Sequence, residues 1–238
     1  MKAIILASGK GTRLESLGDL PKALLTVSGK TLIERQLDSF LENKIHDVII
    51  TTGFKADELR SFIRGKSKYK DLHINYVFNQ QYDKTNYIYS LWLAKKYIKN
   101  DDIILAHSDV IYDFSLFKRI VNTKKSHVTV SRKKNIRSKD LKAEVSNGKV
   151  IYIGLSPKGS NTFLCSSIFK LYKKDMDCWM SEIDSFIRKG VTDCYAEDAF
   201  NKVSAKMDLY PLYFETELGM DIDDQEDLIT VRKLLEHE

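Results

Sequence analysis

The sequence predicts an α/β fold, a largely parallel sheet flanked by helices, in a single domain over residues 1–238. Three observations predict it. A short apolar run, Ala3 to Leu6, breaks directly into a glycine-bearing loop, as a buried parallel strand does at its carboxyl end. Apolar runs and helical stripes then alternate β-α-β-α-β as far as Phe78, the order that builds a sheet with helices on both faces. A later apolar run, Ile103 to Ala106, leads into His107-Ser108-Asp109. Its carboxylate then lies at the strand ends, where open α/β sheets place ligands.

The first loop reads Leu6-Ala7-Ser8-Gly9-Lys10-Gly11-Thr12-Arg13-Leu14, with Pro21-Lys22 following. Glycines at 9 and 11 let the backbone approach a ligand closely. Successive free N–H groups in such a loop make a concavity that suits phosphate. Arg13 and Lys22 add positive charge, one as a planar fork and one as a mobile point charge. Two commoner phosphate loops are excluded. The dinucleotide fingerprint needs a third small residue where Leu14 stands, and the Gly-x-x-x-x-Gly-Lys-Thr loop needs a glycine where Leu24 stands.

The remaining elements follow in order. After the apolar run Leu24 to Val27 and a turn at Ser28-Gly29-Lys30, Thr31 and Glu34 form a capping box. The helix it opens carries the stripe Leu32, Ile33, Leu37, Phe40, Leu41. Asp47 to Thr52 is a strand, Ala56 to Arg64 a charged helix, and His73 to Phe78 a third strand. A polar loop from Asn79 leads to a helix that begins Asn86-Tyr87-Ile88-Tyr89-Ser90-Leu91. Beyond Asp109, Phe114 to Val121 is a helix and His127 to Ser131 a strand. The basic run Arg132 to Lys142 is a solvated loop or a flap over an anionic substrate. Residues 143–145 and 149–153 form a hairpin around Ser146-Asn147-Gly148. Asn161 to Phe169 is a strand, Met176 to Arg188 an amphipathic helix, and Ala196 begins another helix with Glu197 and Asp198 in its first turn. Leu209 to Phe214 is the last strand, and Asp224 caps a final helix with the stripe Leu228, Val231, Leu235.

Composition narrows the class of partner. The chain has 38 basic and 33 acidic residues, a net charge of +5 spread along its length. That fits an anionic small substrate and not the basic, aromatic-laced surface of a nucleic-acid binder. No apolar run is long enough to span a membrane, and the N-terminal one is too short for a signal peptide. The three cysteines, Cys165, Cys178 and Cys194, have no zinc spacing, which suits reduced thiols in a cytoplasm.

The opening loop with its Pro21-Lys22 pair resembles the signature of the sugar-phosphate nucleotidyltransferase superfamily. The stretch Asn86-x-x-Tyr89-Ser90-Leu91 is similar to the branch that uses CTP, the phosphocholine cytidylyltransferases. The resemblance implies a Rossmann-like, mixed but mostly parallel sheet of the nucleotide-diphospho-sugar transferase type. About residues 1–110 would bind nucleotide and 111–238 the acceptor. It implies that Leu6, Ala7, Ser8, Gly9, Gly11, Thr12, Arg13, Lys22, Asn86 and Ser90 meet the nucleotide, with Arg13 and Lys22 catalytic. It implies Mg²⁺ on Asp109 and on Asp221 or Asp223, within the closing stretch Gly219-Met220-Asp221-Ile222-Asp223-Asp224-Gln225-Glu226-Asp227-Leu228. On the acceptor side it points to Tyr89, to Lys142 or Lys158, and to Glu197 and Asp198. Helix capping is an equal reading of that acidic pair. Gly219 stands where the family has an aromatic, a departure on the acceptor side.

The implied activity is condensation of CTP with a small phosphorylated acceptor, releasing pyrophosphate, in a cytoplasmic enzyme. Phosphocholine leads. A phosphonate, inositol phosphate or other metabolite phosphate used in surface polymers or lipid headgroups stays open, as does a homodimer. A choline headgroup would want an aromatic cage, for which Tyr82, Tyr87, Tyr89, Trp179 and Tyr195 are candidates. The rival readings are a sugar-1-phosphate enzyme using UTP or dTTP, a glycosyltransferase with Asp221-Ile222-Asp223 as its Asp-x-Asp, and a non-catalytic nucleotide-binding regulator.

Overall fold

The computed structural model describes residues 1–11, 14, 18–98, 100–133 and 136–235. The first half of the chain supplies β1 (Lys2–Ala7), β2 (Thr26–Val27), β3 (Lys30–Thr31), α1 (Leu32–Glu42), β4 (Asp47–Thr52), α2 (Ala56–Arg64), β5 (His73–Phe78) and α3 (Tyr87–Ile98). Then come β6 (Ile103–His107), β7 (Val110–Tyr112), α4 (Phe114–Val121), β8 (Ser126–Ser131), β9 (Lys142–Ser146), β10 (Lys149–Gly154) and β11 (Thr162–Leu171). The chain closes with α5 (Lys173–Arg188), α6 (Ala196–Val203), β12 (Leu209–Phe214), β13 (Gly219–Asp221) and α7 (Gln225–Leu235).

The central sheet is mixed, as expected, and runs β10-β9-β11-β6-β1-β4-β5, with β8 on the other edge of β11 and β12 beyond β8. β1 is parallel to both β4 and β6, with Ile4 opposite Ile49 and Leu105. The ten-residue β11 joins the halves. Its last residues run antiparallel to β6 and its first to β9, and its register on β8 shifts between Ser166 and Phe169. Such bulges re-aim side chains and collect beside active sites. Here Cys165, Ser166 and Ser167 turn to the large cavity.

Alternation along β1 divides the core. Ile4 and Leu6 pack with α3, α5 and α6 on one face, while Ala3, Ile5 and Ala7 pack with α1, α2 and α4 on the other. The Thr31–Glu34 capping box forms: each residue accepts the other's backbone N–H, at 3.3 and 3.1 Å. A third cluster, with Leu25, Ile111, Ile222 and Leu228, sits under α7. It seats the two-stranded ribbon of β7 and β13, which pairs Val110 with Asp221. That ribbon is absent from the sequence reading, because each arm has only three residues.

Two boundaries move by more than one residue. α5 begins at Lys173 rather than Met176, since Asp175 turns inward to accept from the Ser126 hydroxyl (2.5 Å) and the Asp208 N–H (2.9 Å). β11 runs on to Leu171, paired there with Ile103. The three cysteines are free thiols. Among the described residues, no helix is long and apolar enough to cross a membrane.

Candidate active site

A cavity of about 1020 Å³ opens over the carboxyl ends of β1 and β6 and the β13–α7 turn. The glycine loop forms one lip. Its backbone is held from three sides. The Ser8 carbonyl accepts from the Phe54 N–H (3.1 Å), the Ser8 hydroxyl shares a 2.7 Å hydrogen bond with Ser90, and the Leu6 carbonyl accepts from the Ser108 N–H (3.1 Å). Gly11 takes a positive φ of 68°, where a side chain would be strained. Leu6, Ser8, Gly9 and Gly11 face the cavity, and Ala7 is buried behind it.

The floor is a compact charge cluster. The Lys22 ammonium, on the short 3-10 turn Lys22–Leu24, donates to Asp109 Oδ2 (2.5 Å) and Asp223 Oδ1 (2.9 Å). Asp221 is brought beside Asp109 by the ribbon, reinforced by the Ile222 N–H donating to the Asp109 carbonyl (3.0 Å). His107, Asp109 and Asp221 each offer a ligand atom within 4.8 Å of the others. Burial opposes ionisation of Asp109, but the Lys22 and His107 charges outweigh it and hold its carboxyl below the ordinary value. Burial, then the charges of Asp109 and Asp223, push the Asp221 carboxyl well up. For Lys22 burial works against the charged form, and its two carboxylates more than restore it.

A divalent cation fits this arrangement. Asp109 Oδ1 and Asp221 Oδ1 are buried and have no hydrogen-bond partner among the described residues. Two carboxylates with free oxygens are the donor set a hard ion such as Mg²⁺ takes from a protein when phosphates and water complete its shell. Asp223 sits on Lys22 rather than in the three-residue cluster.

The inner wall is aromatic. Tyr87 stacks on Tyr195 (centroids 5.5 Å) and meets His107 edge-on (4.6 Å). Its hydroxyl donates to Glu197, which is 1 % exposed. Burial raises the Glu197 carboxyl and, with Glu197 beside it, pushes the Tyr87 hydroxyl well up. Asn86 lies at the start of α3 on the cavity surface, its side-chain carbonyl taken by the Tyr87 N–H (2.9 Å).

Several expected residues lie elsewhere. Ser90 is fully buried, its hydroxyl engaged by Ser8 and by the Asn79 amide (3.0 Å), so it anchors the loop from beneath and offers no surface to a base. Lys142 donates to the carbonyls of Asp140 (2.9 Å), Leu155 (3.0 Å) and Ser138 (3.2 Å), which turns it into backbone rather than toward a phosphate. Lys158 is exposed and outside the cavity lining. Tyr89 stacks on Trp92 (5.4 Å), away from the cavity. Trp179 is core, its indole N–H on the Ala196 carbonyl (2.8 Å). Asp198 is exposed and accepts the Tyr195 N–H (3.1 Å), the capping role. Thr12 and Arg13 lie outside the described residues.

Two groups were missed by sequence reasoning. Asn79, 1 % exposed, organises the 79–86 loop by accepting the Gln81 N–H (2.8 Å) and donating to Thr85 and Ser90 (both 3.0 Å). Its place directly after a strand was the available signal. The other is the set of cations Lys133, Arg137 and Lys139, which do line the cavity. They lie in the basic run, where the flap reading pointed without singling them out.

Gly219 resolves the missing aromatic. A Cβ there would fall 2.8 Å from both Leu116 Cδ2 and Phe214 Cζ, and its carbonyl accepts from Ser166 Oγ (2.8 Å). Backbone, Leu116 and Phe214 fill the space that a ring would need.

The chain matches the nucleotidyl transferase family over residues 2–140. Over 105 residues it is 42% identical to the choline-phosphate cytidylyltransferase of Streptococcus pneumoniae, covering 44% of this chain and 43% of that one. Over 130 residues it is 28% identical to the CTP:phosphoglutamine cytidylyltransferase of Campylobacter jejuni, covering 52% and 49%. The matched stretches thus span about half the length of these curated relatives. Among solved structures, the CTP:phosphocholine cytidylyltransferase from Streptococcus pneumoniae superposes with a TM-score of 0.81 at 27% identity, covering 98% of each chain. The family match takes in more than half of the chain and includes the glycine loop, Lys22 and Asp109, and the fold agrees along nearly its whole length. The chain therefore belongs to the nucleotidyl transferase family.

Proposed function

We propose that the protein is a cytidylyltransferase that joins CTP to a small phosphorylated acceptor, phosphocholine foremost, and releases pyrophosphate. The observation that carries the reading is the Lys22 ammonium between Asp109 and Asp223, with Asp221 adjacent, on the floor of a cavity whose lip is a glycine loop. This is the furniture of phosphate chemistry. The CTP assignment is supported by the cytidylyltransferases to which the chain is similar. Phosphocholine is further supported by the Tyr87–Tyr195 wall backed by Glu197, since aromatic faces and a carboxylate suit a quaternary ammonium.

In this reading an acceptor phosphate oxygen attacks the α-phosphorus of CTP in line, and the bond to the β-phosphate breaks. The acceptor is already anionic, so the protein's task is positioning and charge stabilisation. The backbone of residues 8–11 cradles the triphosphate. Lys22 shifts its hydrogen bonds from the carboxylates to phosphate oxygens as charge builds there. Asn86 and the Tyr87 wall orient base and acceptor. Asp109 and Asp221 would hold Mg²⁺, which when bound supplies charge neutralisation at the reacting phosphate.

The test is pyrophosphate release with Mg²⁺, each of CTP, UTP and dTTP, and a panel of phosphocholine, aminoethylphosphonate, inositol phosphate, glycerol phosphate and glucose-1-phosphate. Turnover is expected with CTP and phosphocholine. Turnover confined to glucose-1-phosphate with UTP or dTTP would overturn the nucleotide and the acceptor together. CTP binding without turnover on any acceptor would point to a regulator.

A further inference from the structure

Asp227 is a charged side chain that the reaction scheme does not use, and it is 1 % exposed. It begins no strand and sits in the first turn of α7, yet four donors converge on it. Its Oδ1 accepts from Arg137, and its Oδ2 from Lys139 (3.0 Å) and from the backbone N–H groups of Asp223 (2.9 Å) and Asp224 (3.1 Å). Lys139 also donates to Asp224, and that bond above all pulls the Asp224 carboxyl down to about 2.

Those donors belong to two walls of the cavity. Arg137 and Lys139 lie in the strap of residues 136–141 that leads into β9, and both line the cavity, as Asp223 does from the other wall. Asp223 follows Asp221 and carries the second carboxylate on Lys22. The strap is sewn to the body at its far end by Lys142 and by the Cys165 N–H donating to the Leu141 carbonyl (2.9 Å). At its near end Asp227 and its neighbour Asp224 supply the anchoring carboxylates.

We propose that Asp227 is a positioning residue: through Arg137 and Lys139 it holds the strap over the acceptor half of the cavity, in register with the Asp221–Asp223 turn. The inference rests on the cytidylyltransferase reading only for which substrate feels the strap. A buried carboxylate accepting charge-assisted bonds is the strong kind of hydrogen-bond node, and a wall displaced by an ångström costs far more in substrate positioning than its own contacts suggest.

Two measurements test it on the full chain. Asp227→Asn keeps the shape and an acceptor oxygen for the backbone N–H groups but removes the charge that holds the cations. Without any substrate, amide exchange at residues 136–142 should speed at least about tenfold in Asp227→Asn while β1 and β4 exchange at wild-type rates, as for a local opening. With substrates, Asp227→Asn should raise the acceptor KM at least about tenfold and the CTP KM by less than about threefold. Arg137→Gln, a half-buried change that leaves α7 intact, should do the same to a smaller degree. The double variant should be no worse than Asp227→Asn, the non-additivity of residues acting through one another. Unchanged exchange in the strap, equal rises in both KM values, or additive single effects would overturn the inference. If no acceptor turns over, the activity reading fails and the exchange comparison alone decides this one.

Discussion

Lys22 shows how one residue can be legible in sequence while its circumstances are not. Its place after Pro21 marked it as a phosphate ligand, but only the fold shows a side chain 9 % exposed and shared by carboxylates from β6's end and from the far end of the chain. Lys22→Ala should lower kcat by roughly 10²–10³-fold, the cost of losing one preorganised donor. Steady-state pyrophosphate release with a circular-dichroism check of folding measures it. Near-wild-type turnover would remove Lys22 from the mechanism. Glu197 makes a second residue-scale prediction. Its carboxyl is raised above the ordinary 4.5 by burial, so the folded chain keeps a proton that the unfolded chain has released. Stability contributed by this site therefore falls as pH rises from the unfolded pKa through the folded one. Glu197→Gln removes that slope and still accepts from Tyr87. Its melting temperature should gain on wild type between pH 4 and pH 7, and a constant gap would refute the assignment. Ser90 reads in the sequence as a small residue that lets a base approach, and in the fold helical periodicity turns its hydroxyl under the glycine loop, onto Ser8.

Elements were more legible than the contacts between them. Thr31 and Glu34 mark the start of α1 in sequence and form the box in the structure. Thr31→Ala should cost about 1 kcal/mol of unfolding free energy, the usual worth of an N-cap, read as a shift in denaturation midpoint. Gly219 teaches the opposite lesson. Its significance lies in Leu116 and Phe214, more than a hundred and five residues away in sequence, respectively. Gly219→Ala should destabilise by about 1–3 kcal/mol through overpacking and lower activity as well, because Asp221 is two residues on along the same strand. Loss of stability without loss of activity would show that the ribbon tolerates the shift. The β7–β13 ribbon itself carries no sequence signal, since three-residue arms show no periodicity and the pairing spans half the chain.

At the scale of the molecule, one cavity gathers side chains from Leu6 to Leu234, so ligand binding should report on global stability. CTP with Mg²⁺ at a hundred times its Kd should stabilise the folded chain by about 2.7 kcal/mol, by mass action. Chelation with EDTA should abolish both that gain and pyrophosphate release, and added Mg²⁺ should restore them. Stabilisation by CTP that survives chelation would argue against the cation at Asp109 and Asp221.

Local chemistry is written in the linear chain: strand and helix periods, the capping box, the glycine loop with Lys22 after it, and carboxylates at strand and chain ends. These depend on neighbours within a turn or a few residues, and a linear reading reaches that far. The tertiary structure alone decided which carboxylates share a cation-sized space, which lysines face the cavity and which are sewn into backbone, and that Gly219 leaves no room for a ring. Those outcomes depend on where the folded chain brings each side chain, in some cases against residues a hundred or more positions away, and on burial that makes an oxygen costly to leave unpaired.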